Sequence, residues 1–331
     1  MLIVETYALA VTLSILTMIC WGSWPVTQKL ASPSWRFELF YWDYVLGIVA
    51  ITLILGFTIG SFGGAGRSFL ADIQRAESGN MLSAMLGGAI FNAANILFVA
   101  AIAIAGMAIA FSIGAGFGLI LGVTINYMAL PAGNPYYLFG GVLLIALAII
   151  LSAVSHHRVS RDNNVSSKGI ILALIAGMLF GFFYRFIAAA MYTDFQSPEP
   201  GKLGPYAVTF CFGLGVLLSN TLFNTILMKK PLQGKPIAFS AYFRGTSRNH
   251  VMGILGGMIW GGGLVFSILS AGNTGFAISF GLGQGNALVA AIWGVFIWKE
   301  FKQAPRGTNK LLYWMFFCYV IGLLLIIYAK S

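Results

Sequence analysis

The sequence predicts an all-α polytopic membrane protein of ten transmembrane helices, arranged as two inverted five-helix repeats. Three observations carry that expectation. Hydrophobic residues make up 59% of the 331-residue chain and charged residues 8%, with a mean hydropathy of +0.87, far from the composition of soluble domains. Ten apolar segments reach the ~20 residues needed to cross a bilayer. The segment GMAIAFSIGAG, from Gly106 to Gly116, recurs as GFAISFGLGQG, from Gly275 to Gly285, with six of eleven residues identical at a constant offset of 169. A recurrence inside two apolar stretches marks an internal duplication.

The spans run from about Tyr7 to Gln28, Phe37 to Gly60, Met81 to Ala103, Ala105 to Leu130, Pro135 to Ser155, Lys168 to Thr193, Gly204 to Met228, His250 to Ala271, Gly275 to Trp298 and Leu311 to Tyr328. The third and fourth are almost continuous, as are the eighth and ninth, so each pair must turn on a minimal hinge. Those hinges, at Ala105-Gly106 and at Gly272 to Gly275, open the repeated motif. The repeat unit is therefore five helices, residues 1–160 and 161–331. Five is odd, so the second copy enters the membrane from the opposite side.

Orientation follows from the positive charges. Loops after odd-numbered spans hold fourteen Lys and Arg, whereas the termini and the loops after even-numbered spans hold four: Arg67, Arg75, Lys202 and Lys330. The positive-inside rule then places both termini outside a cell membrane, either a bacterial inner membrane or a plasma membrane. The net charge of +10 is explained by these short basic loops and anionic lipid, and nucleic acid is excluded as a partner. Cys20, Cys211 and Cys318 lie within apolar segments without metal-ligand or pairing spacing, so neither a metal, a cofactor nor a disulfide is expected. No Lys or Arg precedes the first apolar run, and that run is too long for a cleaved signal, so it reads as a spanning helix.

Several stretches resemble the ureide permease family of the drug/metabolite transporter superfamily. They are GSWP at Gly22 to Pro25, Asp43-Tyr44 opening the second span, Gly87-Gly88 followed by Asn95, GVTINY at Gly122 to Tyr127, and WGVFIWKEF at Trp293 to Phe301. GGMIW at Gly256 to Trp260 and KEF at Lys299 to Phe301 are also similar to bacterial rhamnose and glucose/ribose transporters of that superfamily. The resemblance implies a ten-helix, two-repeat carrier of the drug/metabolite transporter fold, commonly proton-coupled, that imports allantoin and related ureides or nucleobases such as uracil. Plant members carry a long acidic central loop. Here about a dozen residues, Ser155 to Ser167, join the fifth and sixth spans without a phosphate-cradling pattern, so no nucleotide role is expected.

Candidate functional residues are the polar groups at membrane depth. Asp43 is the one acidic residue clearly inside a span, and Glu300 lies at the edge of another. Burial penalises a charged carboxyl, so Asp43 needs a partner, water or a proton. It reads either as the proton-coupling group or as an interfacial Asp satisfied by backbone N–H groups and nearby Lys29 or Arg36. Arg185, beside Tyr184, is the one cation well inside a span. Its five donors suit a planar carbonyl solute. Alternatively it snorkels, because it lies roughly 12 Å from the outer end of its helix at 1.5 Å per residue. A direct Asp43–Arg185 bridge is not expected. Asn92, Asn95, Asn126, Gln284 and Asn286 offer donors and acceptors together, as a neutral solute requires. Individually each also serves as an interhelical staple. Trp24 before Pro25, and Trp260 before Gly261-Gly262-Gly263, stand beside opened backbone and are candidate walls for a planar ring or sugar face. Trp42 and Trp298 read as interface anchors.

An intramembrane enzyme fails on inventory, since the three histidines lie in or beside loops and no catalytic motif accompanies Asp43. A channel would need rings of carbonyls or charges around a pore. The expectation is a symporter, coupled to protons or alternatively to sodium, that imports a small neutral polar metabolite. Ureides or nucleobases come first and neutral monosaccharides (rhamnose, ribose, glucose) second. Drug or metabolite efflux remains the third reading, and the protein is expected to act as a monomer or homodimer.

Overall fold

The computed structural model describes the chain except residues 64–65, 160–165, 196, 232–233 and 331, and the side chains of 107–109. Lipid offers no partner for backbone N–H and C=O groups, so an apolar segment crossing it closes its hydrogen bonds internally as a helix. Ten such helices are present among the described residues: Tyr7–Leu30, Phe37–Phe57, Ser78–Gly106, Phe111–Ala129, Pro135–Val159, Ser167–Ala190, Pro205–Lys229, Ser247–Thr274, Phe276–Ile297 and Thr308–Tyr328. They are called the first to tenth spans. Two short helices, Phe69–Arg75 and Phe239–Arg244, follow the second and seventh spans.

Both expected hinges are single glycines in the left-handed half of backbone space. Gly106 has φ 83° and Gly275 φ 88°, conformations that an L side chain strains to adopt. The chain therefore reverses there with no loop residues to spare. Within the ninth span the helix breaks again at Gln284-Gly285, between Phe276–Gly283 and Asn286–Ile292.

Packing repeats at the same spacing as the sequence. The third span packs on the sixth as the eighth does on the first, and the second packs on the eighth as the seventh does on the third. The fifth pairs with the tenth. Glycines set the closest approaches. A Cβ at Gly257 would lie 1.8 Å from the Tyr44 carbonyl oxygen, and one at Gly88 would lie 2.1 Å from that of Phe212. Likewise Gly47 meets the Ile254 carbonyl at 2.1 Å and Gly215 that of Met85 at 1.9 Å. Every residue in the first member of each comparison has its counterpart 168 or 169 positions away, which is the contact pattern two inverted five-span repeats produce. Small residues let van der Waals contact hold the helices where lipid supplies no hydrophobic force.

The two halves of the chain meet around an aromatic centre. Trp260, 5% exposed, stacks on Trp21 with centroids 5.6 Å apart, on Phe91 at 4.3 Å and on Phe212 at 5.9 Å. The Trp21 indole N–H donates to the Trp260 carbonyl oxygen at 3.1 Å.

Candidate functional site

The end of the bundle that carries Lys29, Lys229 and Arg248 holds an ionisable cluster around one buried carboxyl. Asp43 sits in the second turn of the second span and is 1% exposed. His250 lies in the first turn of the eighth span, where Thr246 caps the helix by accepting from the Asn249 N–H. Its Nδ1 is 2.9 Å from Asp43 Oδ2 and 3.1 Å from Oδ1. The Tyr242 hydroxyl, from the helix Phe239–Arg244, donates to Asp43 Oδ1. Burial, and then the carboxylate beside it, push that hydroxyl up from its ordinary value. Gly253 makes room, because a Cβ there would lie 2.4 Å from Asp43 Cβ. The imidazole and the carboxyl are thus within hydrogen-bond distance of each other.

This geometry corrects one expectation. Lys29 and Arg36 do not satisfy Asp43: Lys29 pairs with Glu300 at 2.6 Å, and Arg36 with Glu38. The partner is His250, at the start of the eighth span. The available signal was topological. Asp43 near the start of the second span and His250 near the start of the eighth fall at the same membrane face once the spans are counted.

The same stretch of the second span also carries a neutral wall. Trp24 lies 4.8 Å from the Tyr44 ring, and Tyr44 stacks on Tyr41 at 5.4 Å. The Tyr41 hydroxyl donates to Asn92 Oδ1 at 2.9 Å and accepts from Asn95 Nδ2 at 3.0 Å. Asn92 also donates to Ser219 Oγ at 2.9 Å. Trp24, Asn92 and Asn95 are thus brought together around Tyr41 and Tyr44 of the second span, whereas Asp43 meets His250, Tyr242 and Gly253. Asn92, 0% exposed and bonded through both amide atoms, ties three spans together.

The remaining candidates are spread over other places. Gln284 and Asn286 flank the break in the ninth span, half-buried, with no side-chain hydrogen bond among the described residues. Tyr184 is fully buried, with its hydroxyl 2.9 Å from Ser267 Oγ and 3.4 Å from Ser279 Oγ. Arg185 next to it is half-buried and makes no ion pair or hydrogen bond among the described residues. Asn126 returns its amide N–H to Gly122 of its own helix at 2.8 Å, leaving Oδ1 unpartnered. Trp260 is enclosed by the aromatic centre.

A cavity of about 180 Å³ opens at the basic end between the first, fourth, fifth, ninth and tenth spans. Trp293, Trp298, Ser152 and Tyr319 line it, and the Lys29–Glu300 pair stands at its edge, with Lys29 Nζ 5.1 Å from the centre of the Trp298 ring. Trp298, expected as an interface anchor, therefore faces this cavity. None of the candidate solute residues lines it.

At the opposite end, the short helix Phe69–Arg75 presents Asp72, 2% exposed, to the start of the seventh span. It accepts from the Gly204 N–H and pairs with Arg67 at 3.1 Å. Burial pushes its carboxyl up to about 6 against these two opposing influences.

The fold and its buried polar groups define a polytopic membrane carrier. Comparison with known proteins narrows this. The ureide permease family model matches residues 40–168 and 164–329, and the chain belongs to that family. It is similar to ureide permease 2 of Arabidopsis thaliana, 22% identical with 97% of this chain and 96% of the other covered. Ureide permease 1 of the same plant is 21% identical, with 97% of each chain covered. A Streptococcus agalactiae protein named for sugar uptake is 23% identical over 62% of this chain and 72% of its own. A solved crystal structure shares the fold, with a TM-score of 0.64 at 14% identity over 97% of this chain and 99% of that one. The protein is an integral membrane permease, of a family that moves small-molecule substrates across the bilayer.

Proposed function

We propose that this permease is a proton symporter importing a small neutral polar metabolite, a ureide such as allantoin or a nucleobase such as uracil or xanthine. The observation that carries the reading is that one short stretch of the second span holds both Asp43, hydrogen-bonded to His250, and Tyr41 and Tyr44, which meet Asn95 and Trp24. A carboxyl able to hold and release a proton and groups able to bind an uncharged, planar, hydrogen-bonding solute are built on the same helix. Across the break in the ninth span, Gln284 and Asn286 would meet the solute from the second repeat, with Trp260 between them and Tyr184-Arg185 toward the other end. Sites of inverted-repeat carriers lie between the repeats. The streptococcal relative named for sugar uptake favours a monosaccharide as the second reading.

The basic end faces the cytoplasm in this proposal, with both termini outside. Thermal shifts of purified protein with allantoin, uracil, xanthine, ribose and rhamnose test the solute. Stabilisation by a ureide or nucleobase is expected, and stabilisation by sugars alone would replace the first reading by the second. Single cysteines test the orientation: one at Lys202 should react with a membrane-impermeant thiol reagent in whole cells, and one at Arg158 or Lys235 should not.

A further inference from the structure

The seventh span carries polar groups that the fold leaves unused. Asn220 is 0% exposed, and neither its Nδ2 nor its Oδ1 has a hydrogen-bond partner. One turn on, Asn224 is also 0% exposed; its Nδ2 donates to the Glu38 carbonyl oxygen at 2.9 Å while its Oδ1 is unpartnered. The fully buried Tyr44 hydroxyl is unpartnered as well. Residues four apart share a helix face, and this face looks into the wedge between the second and third spans. Asn224 bonds the backbone of the second, while Ser219 and Val216 take the Asn92 amide of the third.

The fold itself does not ask for these amides. Their counterparts 168 positions earlier are Thr52 and Gly56. Thr52 satisfies its hydroxyl on the carbonyls of Ile48 and Val49, both at 3.0 Å. The Tyr44 counterpart is Phe212, which has no polar atom to satisfy. Packing at the mirrored position is therefore achieved without an unpaired group, whereas an amide left bare in a dry interior is costly and is retained where something else completes it.

Resting on the carrier reading above, we infer that Asn220, Asn224 and Tyr44 form the polar edge of the solute site, and that this edge is built for an –NH–C(=O)– group. A primary amide with both atoms free presents a donor and an acceptor side by side. It closes a two-bond ring with the N–H and C=O of a ureide or nucleobase. Asn224 Oδ1 supplies a second acceptor for the further N–H such molecules carry. A sugar, whose hydroxyls each rotate independently, has no matching fixed edge. The edge is sealed in this conformation and meets solute when the spans part during alternating access.

The test uses the full chain in lipid nanodiscs, with allantoin, uracil, ribose and rhamnose as probes. Asn220→Leu removes the polar edge at similar volume. It should melt at or above the wild-type temperature while its affinity for allantoin or uracil falls at least tenfold. Asn220→Ala, which cannot clash, is read in its place if the leucine variant does not fold. Wild-type affinity for allantoin or uracil in a folded Asn220 variant would overturn the inference and leave the carrier reading standing. Wild-type protein that binds ribose or rhamnose but neither allantoin nor uracil would also overturn it. Wild-type protein that binds none of the four probes would overturn the solute reading, and the inference with it.

Discussion

The imidazole of His250 lies 2.9 Å from the carboxylate of Asp43, across 207 positions of sequence and between the second and eighth spans. The pair joins an ionisable group of the second span to one of the eighth. If it couples transport, Asp43→Asn should abolish pH-gradient-driven accumulation while leaving solute exchange measurable. His250→Gln should move the pH profile of uptake without abolishing exchange. Counterflow and gradient-driven uptake in proteoliposomes separate these outcomes, and full accumulation by both variants would assign the pair a structural role.

Gly257 and Gly253 hold the eighth span against the second. A Cβ would lie 1.8 Å from the Tyr44 carbonyl oxygen at Gly257 and 2.4 Å from Asp43 Cβ at Gly253, whereas at Gly79 it would meet nothing within 4 Å. Alanine at either of the first two should destabilise by about 2 kcal/mol or more, and Gly79→Ala should stay within about 0.5 kcal/mol of wild type. Thermal unfolding in detergent reads the contrast. Equal melting temperatures for all three would refute the close-packed interface.

Asp72 makes stability depend on pH at the end opposite the His250 pair. Its carboxyl is raised from 3.8 to about 6, by burial first, so the folded chain holds this proton more tightly than the unfolded chain. The favourable contribution is complete below pH 3.8 and is lost as pH rises through about 6. Asp72→Asn is neutral throughout, so its melting temperature should gain on wild type between pH 4 and 7, by at most about 3 kcal/mol of stability. A variant that instead loses ground as pH rises would mean that the Arg67 pair outweighs desolvation.

Among the described residues, Gln284 stands where the ninth span breaks without a side-chain hydrogen bond, and Asn95 makes one, to the Tyr41 hydroxyl. Each should bind solute directly. Leaving such a bond unmade costs about 1–3 kcal/mol, so Gln284→Ala and Asn95→Ala should each weaken solute affinity roughly ten- to a hundredfold. Asn92→Ala should chiefly lower the melting temperature, since that amide is engaged at both ends within the protein. Calorimetric titration alongside unfolding curves distinguishes the two patterns, and unchanged affinity in both the Gln284 and Asn95 variants returns them to packing roles.

The sequence by itself determined the ten spans, the offset of 169 and the two hinge glycines. In lipid each span must close its own backbone hydrogen bonds, so length and apolarity are local properties that the chain states directly. Gly106 and Gly275 were legible because a hinge with no loop demands a residue free of Cβ strain. Which side chains meet was decided only by the tertiary structure. A span that is apolar on nearly every side marks no preferred face, so its rotation and depth follow from where glycines of neighbouring helices let backbones touch. That packing set His250 rather than Lys29 against Asp43, sent Lys29 to Glu300, and turned Asn220 into the wedge beside the second and third spans. None of these pairings has a sequence spacing that could announce it, because each joins a helix of the first half of the chain to one of the second.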